Sequence, residues 1–349
     1  MNKGFDQNYF EDFHVGQTFE CPTPRVLTNA DRALYIAFTG DRMPRFCDAH
    51  NRIHPLTVFH TVLSQTVKPI SFNAVANLGY AEVAWRQPVH IGDTISTTAT
   101  IIGLKENSGR RDGIVYVRTV GKNQWNEVVL EYVRWVMVRK SREYATPYLD
   151  APVVPGLQSA LAPKRLTLHP PDQCYHKATG GKYFYEDYEP GERIVHLGTV
   201  TVSEAEHMSF TRLYQNAARL HFETIPPHTA PVVFGGYAIS LGYALSFIGL
   251  ENRLGLVGIN SGVHPHPVHA GDTLACFTDV IEKVEVHPHV GLLRLRLVVV
   301  KNYMLGVEMP FEPQHEDATG KQVYNDHVVL DLDYWEPVIT RAHTSSRPA

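Results

Sequence analysis

Cysteine is scarce in this chain of 349 residues. Cys21, Cys47, Cys174 and Cys276 stand far apart with no C-x-x-C pair, so neither a disulfide framework nor a thiolate zinc site is indicated. An excess of positive charge is also lacking. The 36 acidic residues against 32 basic ones leave a formal net charge of -4, with nothing to draw in nucleic acid or anionic lipid. No apolar run approaches the roughly 18 residues that a membrane helix needs, and the opening Met1-Asn2-Lys3-Gly4-Phe5-Asp6 has no apolar signal core. These absences point to an acidic globular protein, expected in the cytoplasm, with neither nucleic acid nor membrane as a partner.

What the chain does have is repetition. Phe10-Glu11-Asp12-Phe13 returns as Tyr185-Glu186-Asp187-Tyr188, and the same offset of 175 carries Gly16 onto Gly191 and Ala30 onto Ala205. "QPVHIGDT" at residues 87–94 returns as "HPVHAGDT" at 266–273, an offset of 179 that also lays Lys122-Asn123 on Lys301-Asn302. Val128-Val129-Leu130 and Trp135 return at an offset of 200 as Val328-Val329-Leu330 and Trp335, so the second copy holds about 21 extra residues between Asn302 and Val328. Ordered matches of this kind indicate an internal duplication. Residues 146–178 include Pro147, Pro152, Pro155, Pro163, Pro170 and Pro171, which suit an extended connector. The division expected is 1–145 for one repeat, 146–178 for the connector and 179–349 for the other.

The order of local signals is the same in both copies. A helix with a polar cap opens each, at Thr28-Asn29-Ala30-Asp31 and at Ser203-Glu204-Ala205-Glu206. A second, apolar helix follows, after Pro55 in the first copy and within "PVVFGGYAISLGYALSFIGL" in the second. Then come β-like runs such as "GYAEVAW", "TISTTATIIGL" and "EYVRWVMV", and "TLACFTDVIEKVEV" and "LLRLRLVVV" in the later half. A buried helix followed by antiparallel strands argues for an α+β unit in which a sheet wraps a helix. The repeated P-V-H-x-G-D-T reads as the turn that launches a long strand, with glycine supplying the bend and aspartate capping it.

At this point the chain resembles the MaoC-like hydratases, or hydratase 2 family, whose motif reads roughly F-T-G-D-x-N-P-L-H. "FTGDRMPRF" at 38–46 matches at Phe38, Thr39, Gly40, Asp41 and Pro44 but has Phe46 where histidine is expected; "LYQNAARLH" at 213–221 has Asn216 for the aspartate and keeps the histidine, His221. Within that family, "NAVANLGYAEV" (73–83), "GLKENS" (103–108), "RWVMVRK" (134–140) and "LYQNAARLHF" (213–222) look like the mesaconyl-CoA hydratase, or β-methylmalyl-CoA dehydratase, branch. The resemblance implies a tandem, double hotdog fold and reversible addition of water to an enoyl-CoA. It also implies an acyl-CoA as the bound partner and no cofactor, because the CoA thioester is itself the substrate. Association into a homodimer is compatible with it.

Hydration of an unsaturated thioester needs a group that exchanges a proton with water and donors for the enolate oxygen. The resemblance assigns the first role to His221, with Asn216 orienting the water, and the second to a backbone N–H at the start of the central helix, where Gly235 and Gly236 leave room for a thioester. Aligning Pro231 with Pro55 puts Phe59 and His60 opposite those glycines, which with Phe46 marks the first site as degenerate and leaves the first repeat to shape the acyl-CoA tunnel. Arg219, two residues before His221, is the candidate clamp for the free carboxylate of a C4 acyl group, and Arg42 and Arg45 are candidates for similar duty or for CoA phosphates. Asp41 with His50 or His54 is an alternative catalytic site, and Glu223 could assist His221, since an amide such as Asn216 cannot take a proton. His264, His266 and His269, with His287 and His289, lack a carboxylate or cysteine at ligand spacing, so no metal is expected. Two rival functions share the fold: a hotdog thioesterase, which would place a carboxylate near the central helix, and a non-catalytic acyl-CoA-binding protein.

Overall fold

The computed structural model describes residues 7–47, 51–109, 111–141, 148–169, 176–225, 230–306 and 311–345. Its first half contains β1 (Thr18–Val26), α1 (Asn29–Thr39), the short α2 (Pro44–Cys47), α3 (Pro55–Gln65), β2 (Ala74–Trp85), β3 (Thr94–Glu106), β4 (Asp112–Lys122) and β5 (Val128–Arg139). After the short α4 (His176–Thr179), the second half repeats the order: β6 (Arg193–Thr201), α5 (Glu204–Leu213), α6 (Gly235–Leu245), β7 (Gly258–Val263), β8 (Thr273–His287), β9 (Val290–Lys301) and β12 (Val328–Ile339), with α7 (Arg341–Ser345) at the end. The extra residues of the second copy carry a separate hairpin, β10 (Gln314–Glu316) with β11 (Gln322–Tyr324).

Ten strands form one antiparallel sheet in the order β1-β3-β4-β5-β2-β7-β12-β9-β8-β6, which is five strands followed by their mirror-ordered counterparts. The halves join through β2 and β7. Tyr80 pairs with Gly262 and Val83 with Ile259, and at the 179-residue offset each pair is the image of the other, so a pseudo-two-fold axis passes through this junction. Helix α3 packs on β1, β3, β4 and β5, α6 packs on β6, β8, β9 and β12, and the helices touch each other, with His60 Nε2 2.7 Å from Ser240 Oγ. One apolar cluster, from Leu27 through Phe59, Phe210, Ile239 and Leu297 to Val338, belongs to both repeats. This is the α+β double hotdog arrangement that the resemblance implied.

Local chemistry explains the repetition. The backbone N–H of Thr28 donates to Asp31 Oδ2 at 2.8 Å and that of Glu206 to Ser203 Oγ at 3.3 Å, so both opening helices start where their caps stand. Each ends in a left-handed residue, Gly40 (φ 68) or Gln215 (φ 57), which turns residue 41 or 216 back towards the interior. In the P-V-H-x-G-D-T turns, Gly92 (φ 99) and Gly271 (φ 93) occupy backbone conformations that a side chain would strain. Asp93 Oδ2 accepts from His90 N at 2.8 Å and Asp272 Oδ2 from His269 N at 2.9 Å, immediately before β3 and β8 begin. The second apolar helix is shorter than its sequence suggests: Val232 N donates to Leu220 O and Val233 N to Val268 O, so residues 231–234 run extended and α6 starts at Gly235. Part of the connector lies against the sheet, where Leu161 and Leu166 are buried with Ala84, Leu292 and Trp335.

Candidate active site

The turn after α5, the approach to α6 and the junction between the repeats enclose a cavity of about 430 Å³. Asn216, His221 and Gly235 line it from the second repeat, as do His264 and His266 from the β7–β8 loop; Asn77 and Tyr80 on β2 and Arg134 on β5 line it from the first. Turns and hydrogen bonds hold the site residues of the second repeat in place. Asn216 Oδ1 accepts from Ala218 N at 3.0 Å, which closes a side-chain turn just beyond the left-handed Gln215. His221 ends a 3-10 turn, Arg219–His221, and its Nδ1 lies 2.7 Å from the carbonyl of Val232. A carbonyl only accepts, so Nδ1 carries the proton and the neutral ring has its lone pair on Nε2, the tautomer a general base requires. Gly235 is the first residue of α6; its N–H and that of Gly236 have no carbonyl partner within the helix and lie at the positive end of its dipole. A Cβ on Gly235 would come within 2.8 Å of His264 Nε2, so glycine is needed for this ring to sit over the helix start. Burial holds His264 neutral, with its pKa lowered to about 4; Nδ1 is 3.3 Å from Val329 O and Nε2 3.3 Å from Tyr80 Oη.

The pseudo-symmetric position in the first repeat holds a cavity of about 70 Å³. There Phe46 stands in place of His221, Pro55 in place of Gly235 and Trp85 in place of His264, and the connector residues Thr167 and His169 complete the wall. Helices α3 and α6 begin at 55 and 235, an offset of 180, so the residue opposite Gly235 is Pro55 and not Phe59. That corrects the sequence alignment: the residue at this helix start is a proline, which has no N–H to offer an oxyanion, and Phe46 and Trp85 line the small cavity beside it.

Other expected residues fall elsewhere. Arg219 does not line the cavity; its side chain is 43% exposed and its Nε donates to Glu223 Oε1 at 2.6 Å, which engages both partners of that pair on the surface side. Gly236 is also absent from the lining, because a Cβ there would meet His60 and Phe234; its lack of a side chain serves helix packing. Asp41 and His54 do meet: His54 Nδ1 accepts from Leu56 N at 3.1 Å and His54 Nε2 lies 3.2 Å from Asp41 Oδ2. Both are buried, Tyr35 stacks on the imidazole at 4.7 Å, Phe46 abuts it at 4.7 Å, and burial pushes the His54 pKa down to about 4. His50 lies outside the described residues. Arg45 donates to the carbonyls of Leu254 and His169, and Arg42 lies over the Phe247 ring. His264, His266 and His269 each place Nδ1 against a different backbone carbonyl, and no group of metal-ligating side chains occurs among the described residues.

The residue that the sequence reading missed is Arg134. Its signal lay in strand alternation: Tyr132, Arg134, Val136 and Val138 share one face of β5, and an arginine amid three core residues marks a guanidinium turned inward.

No protein-family model matches the chain. Among curated proteins, a mesaconyl-CoA hydratase from Cereibacter sphaeroides is 44% identical over 343 residues, which cover 94% of this chain and 96% of that protein. A β-methylmalyl-CoA dehydratase from Chloroflexus aurantiacus is 42% identical over 351 residues with the same shares, 94% and 96%. Among solved structures, a MaoC domain dehydratase from Chloroflexus aurantiacus superimposes with a TM-score of 0.88 at 40% identity, over 98% of this chain and 100% of that one. A Mycobacterium tuberculosis protein with a double hotdog fold matches in fold alone, with a TM-score of 0.71 at 22% identity over 96% of this chain and 99% of that one. Identity of this extent, along nearly the whole of both curated relatives, means that the chain belongs to the mesaconyl-CoA hydratase, or β-methylmalyl-CoA dehydratase, family of MaoC-like proteins.

Proposed function

We propose that the larger cavity is an acyl-CoA hydro-lyase site that adds water reversibly to an enoyl-CoA, with mesaconyl-CoA and β-methylmalyl-CoA as its reactant pair. The observation that carries this reading is the convergence on one cavity of Asn216, a His221 whose tautomer is set by the Val232 carbonyl, and the uncapped start of α6 at Gly235. In the hydration direction His221 Nε2 takes a proton from water as the oxygen bonds to the β carbon. The π electrons move onto the thioester oxygen, which the N–H at the head of α6 stabilises. The enolate then collapses and the α carbon takes the proton back from the imidazolium. Among the described residues no Asp or Glu lines the cavity, so the same imidazole carries the proton in both directions. Asn216, whose Oδ1 is engaged by Ala218 N–H, has its NH2 group to offer to the water oxygen.

The absence of a carboxylate from the lining among the described residues also argues against the thioesterase reading, which needs one near the central helix. Incubation with mesaconyl-CoA, following the conjugated enoyl-thioester absorbance together with free thiol, tests all three readings. Loss of absorbance without thiol is expected. Thiol release would establish hydrolysis instead, and binding without either change would establish a scaffold.

A further inference from the structure

Arg134 is 1% exposed, so its charge is taken almost wholly out of bulk water. Three of its N–H bonds go to neutral acceptors: Nη1 to Asn77 Oδ1 at 3.3 Å, and Nη2 to Thr66 Oγ1 at 2.8 Å and Ser71 Oγ at 3.2 Å. Nε has no partner among the described residues, and no carboxylate forms an ion pair with this guanidinium there. Thr66 caps the end of α3, so the negative end of that helix dipole offsets part of the charge. The remainder is uncompensated, which is expensive for a buried guanidinium unless something else supplies the anion. Arg134 faces the cavity, whose wall among the described residues contains this one arginine, the three histidines His221, His264 and His266, and no acid. Another buried arginine, Arg253, provides a contrast within the same molecule: it sits on the other side of the pseudo-two-fold axis, in the field of the buried Glu336 and Asp41. The position equivalent to Arg134 in that half is Tyr334.

We propose that Arg134 is the specificity-determining residue of the cavity, and that the anion it awaits is the free carboxylate at the end of a dicarboxylic monothioester remote from the thioester. The inference rests on the hydro-lyase reading above and assigns the carboxylate subsite to the first repeat, on β5, while the thioester lies at the head of α6 in the second. One substrate therefore spans both repeats, which explains why an arginine is kept in the half whose own site has closed.

The test compares mesaconyl-CoA with (E)-2-methylbut-2-enoyl-CoA, which has a methyl group in place of the carboxylate and is otherwise the same. The wild-type protein should prefer mesaconyl-CoA in kcat/KM, and Arg134→Gln should reduce that preference by about a hundredfold, the order expected when one partner of a buried charge pair is removed. Arg134→Lys, which keeps the charge and loses the planar fork, should fall between. A wild-type protein that hydrates both compounds equally well, or an Arg134→Gln protein that loses both in the same proportion, would overturn the inference and leave the hydro-lyase reading standing. Turnover of neither compound by the wild type would instead overturn that reading. Should the variants fail to fold, binding by the wild-type protein decides: succinyl-CoA must bind more tightly than butyryl-CoA, and equal affinities would refute the assignment.

Discussion

His221 and Asp41 are the motif's histidine and aspartate, carried by different copies, and they stand in opposite circumstances in the fold. The first lines an open cavity with a fixed tautomer; the second is sealed under Tyr35 and Phe46 and paired with His54. His221→Ala should therefore lower kcat by about 10²–10⁴-fold, the usual worth of a positioned acid–base group. Asp41→Asn should cost stability while turnover per folded molecule persists; the reverse pattern in single-turnover kinetics would move the chemistry to the first repeat. Buried titratable groups also set an acid limit. Burial holds His54 and His196 near pKa 4 against an ordinary 6.5, so their contribution to stability is complete above pH 6.5 and is lost as pH falls towards 4. Glu336 acts with the opposite sign: burial raises its pKa from 4.5 to about 7, so its stabilisation is complete below 4.5 and is lost as pH rises through 7. With His264, also held near 4, and His60, held well below its ordinary value, the buried histidines outnumber the one carboxyl, so stability falls between pH 7 and pH 5. Urea unfolding at the two pH values should show it, and Glu336→Gln, without the opposing group, should show a steeper loss.

Elements were legible where their signals are local. The polar caps at Thr28 and Ser203 and both P-V-H-x-G-D-T turns appear where the sequence puts them, because each depends on hydrogen bonds spanning only a few residues. If those turns are structural devices, Gly92→Ala and Gly271→Ala should each destabilise by about 1–2 kcal/mol, the cost of forcing a Cβ into left-handed backbone. A large cost at only one of the two, measured by denaturant unfolding, would show that the repeated phrase serves different purposes in the two copies. The second apolar helix was less legible. Hydrophobicity alone could not show that residues 231–234 leave the helix to pair with Leu220 and Val268, since those partners are brought near only by the fold. The 21-residue insertion likewise had no pattern from which its small hairpin could be read.

At the scale of the molecule, β2 and β7 pair across the junction and a single apolar cluster draws on both repeats. Neither half then has a complete core of its own, and each alone would expose a strand edge. The two repeats expressed separately should fail to give cooperative unfolding transitions, whereas the whole chain should give one transition by far- and near-ultraviolet circular dichroism alike. Independent, cooperative folding of either half would contradict this.

By itself the sequence determined the duplication, the order of elements, the turns and caps, and a motif histidine in the second copy, because all of these are written within a few residues or in the comparison of one copy with the other. Only the tertiary structure decided that Pro55 and not Phe59 stands opposite Gly235, that Arg219 is engaged with Glu223 at the surface, and that Arg134, 87 positions before His221, faces the same cavity. A cavity between repeats is made of side chains far apart along the chain. Which of them meet depends on sheet register and helix packing, and neither quantity is local.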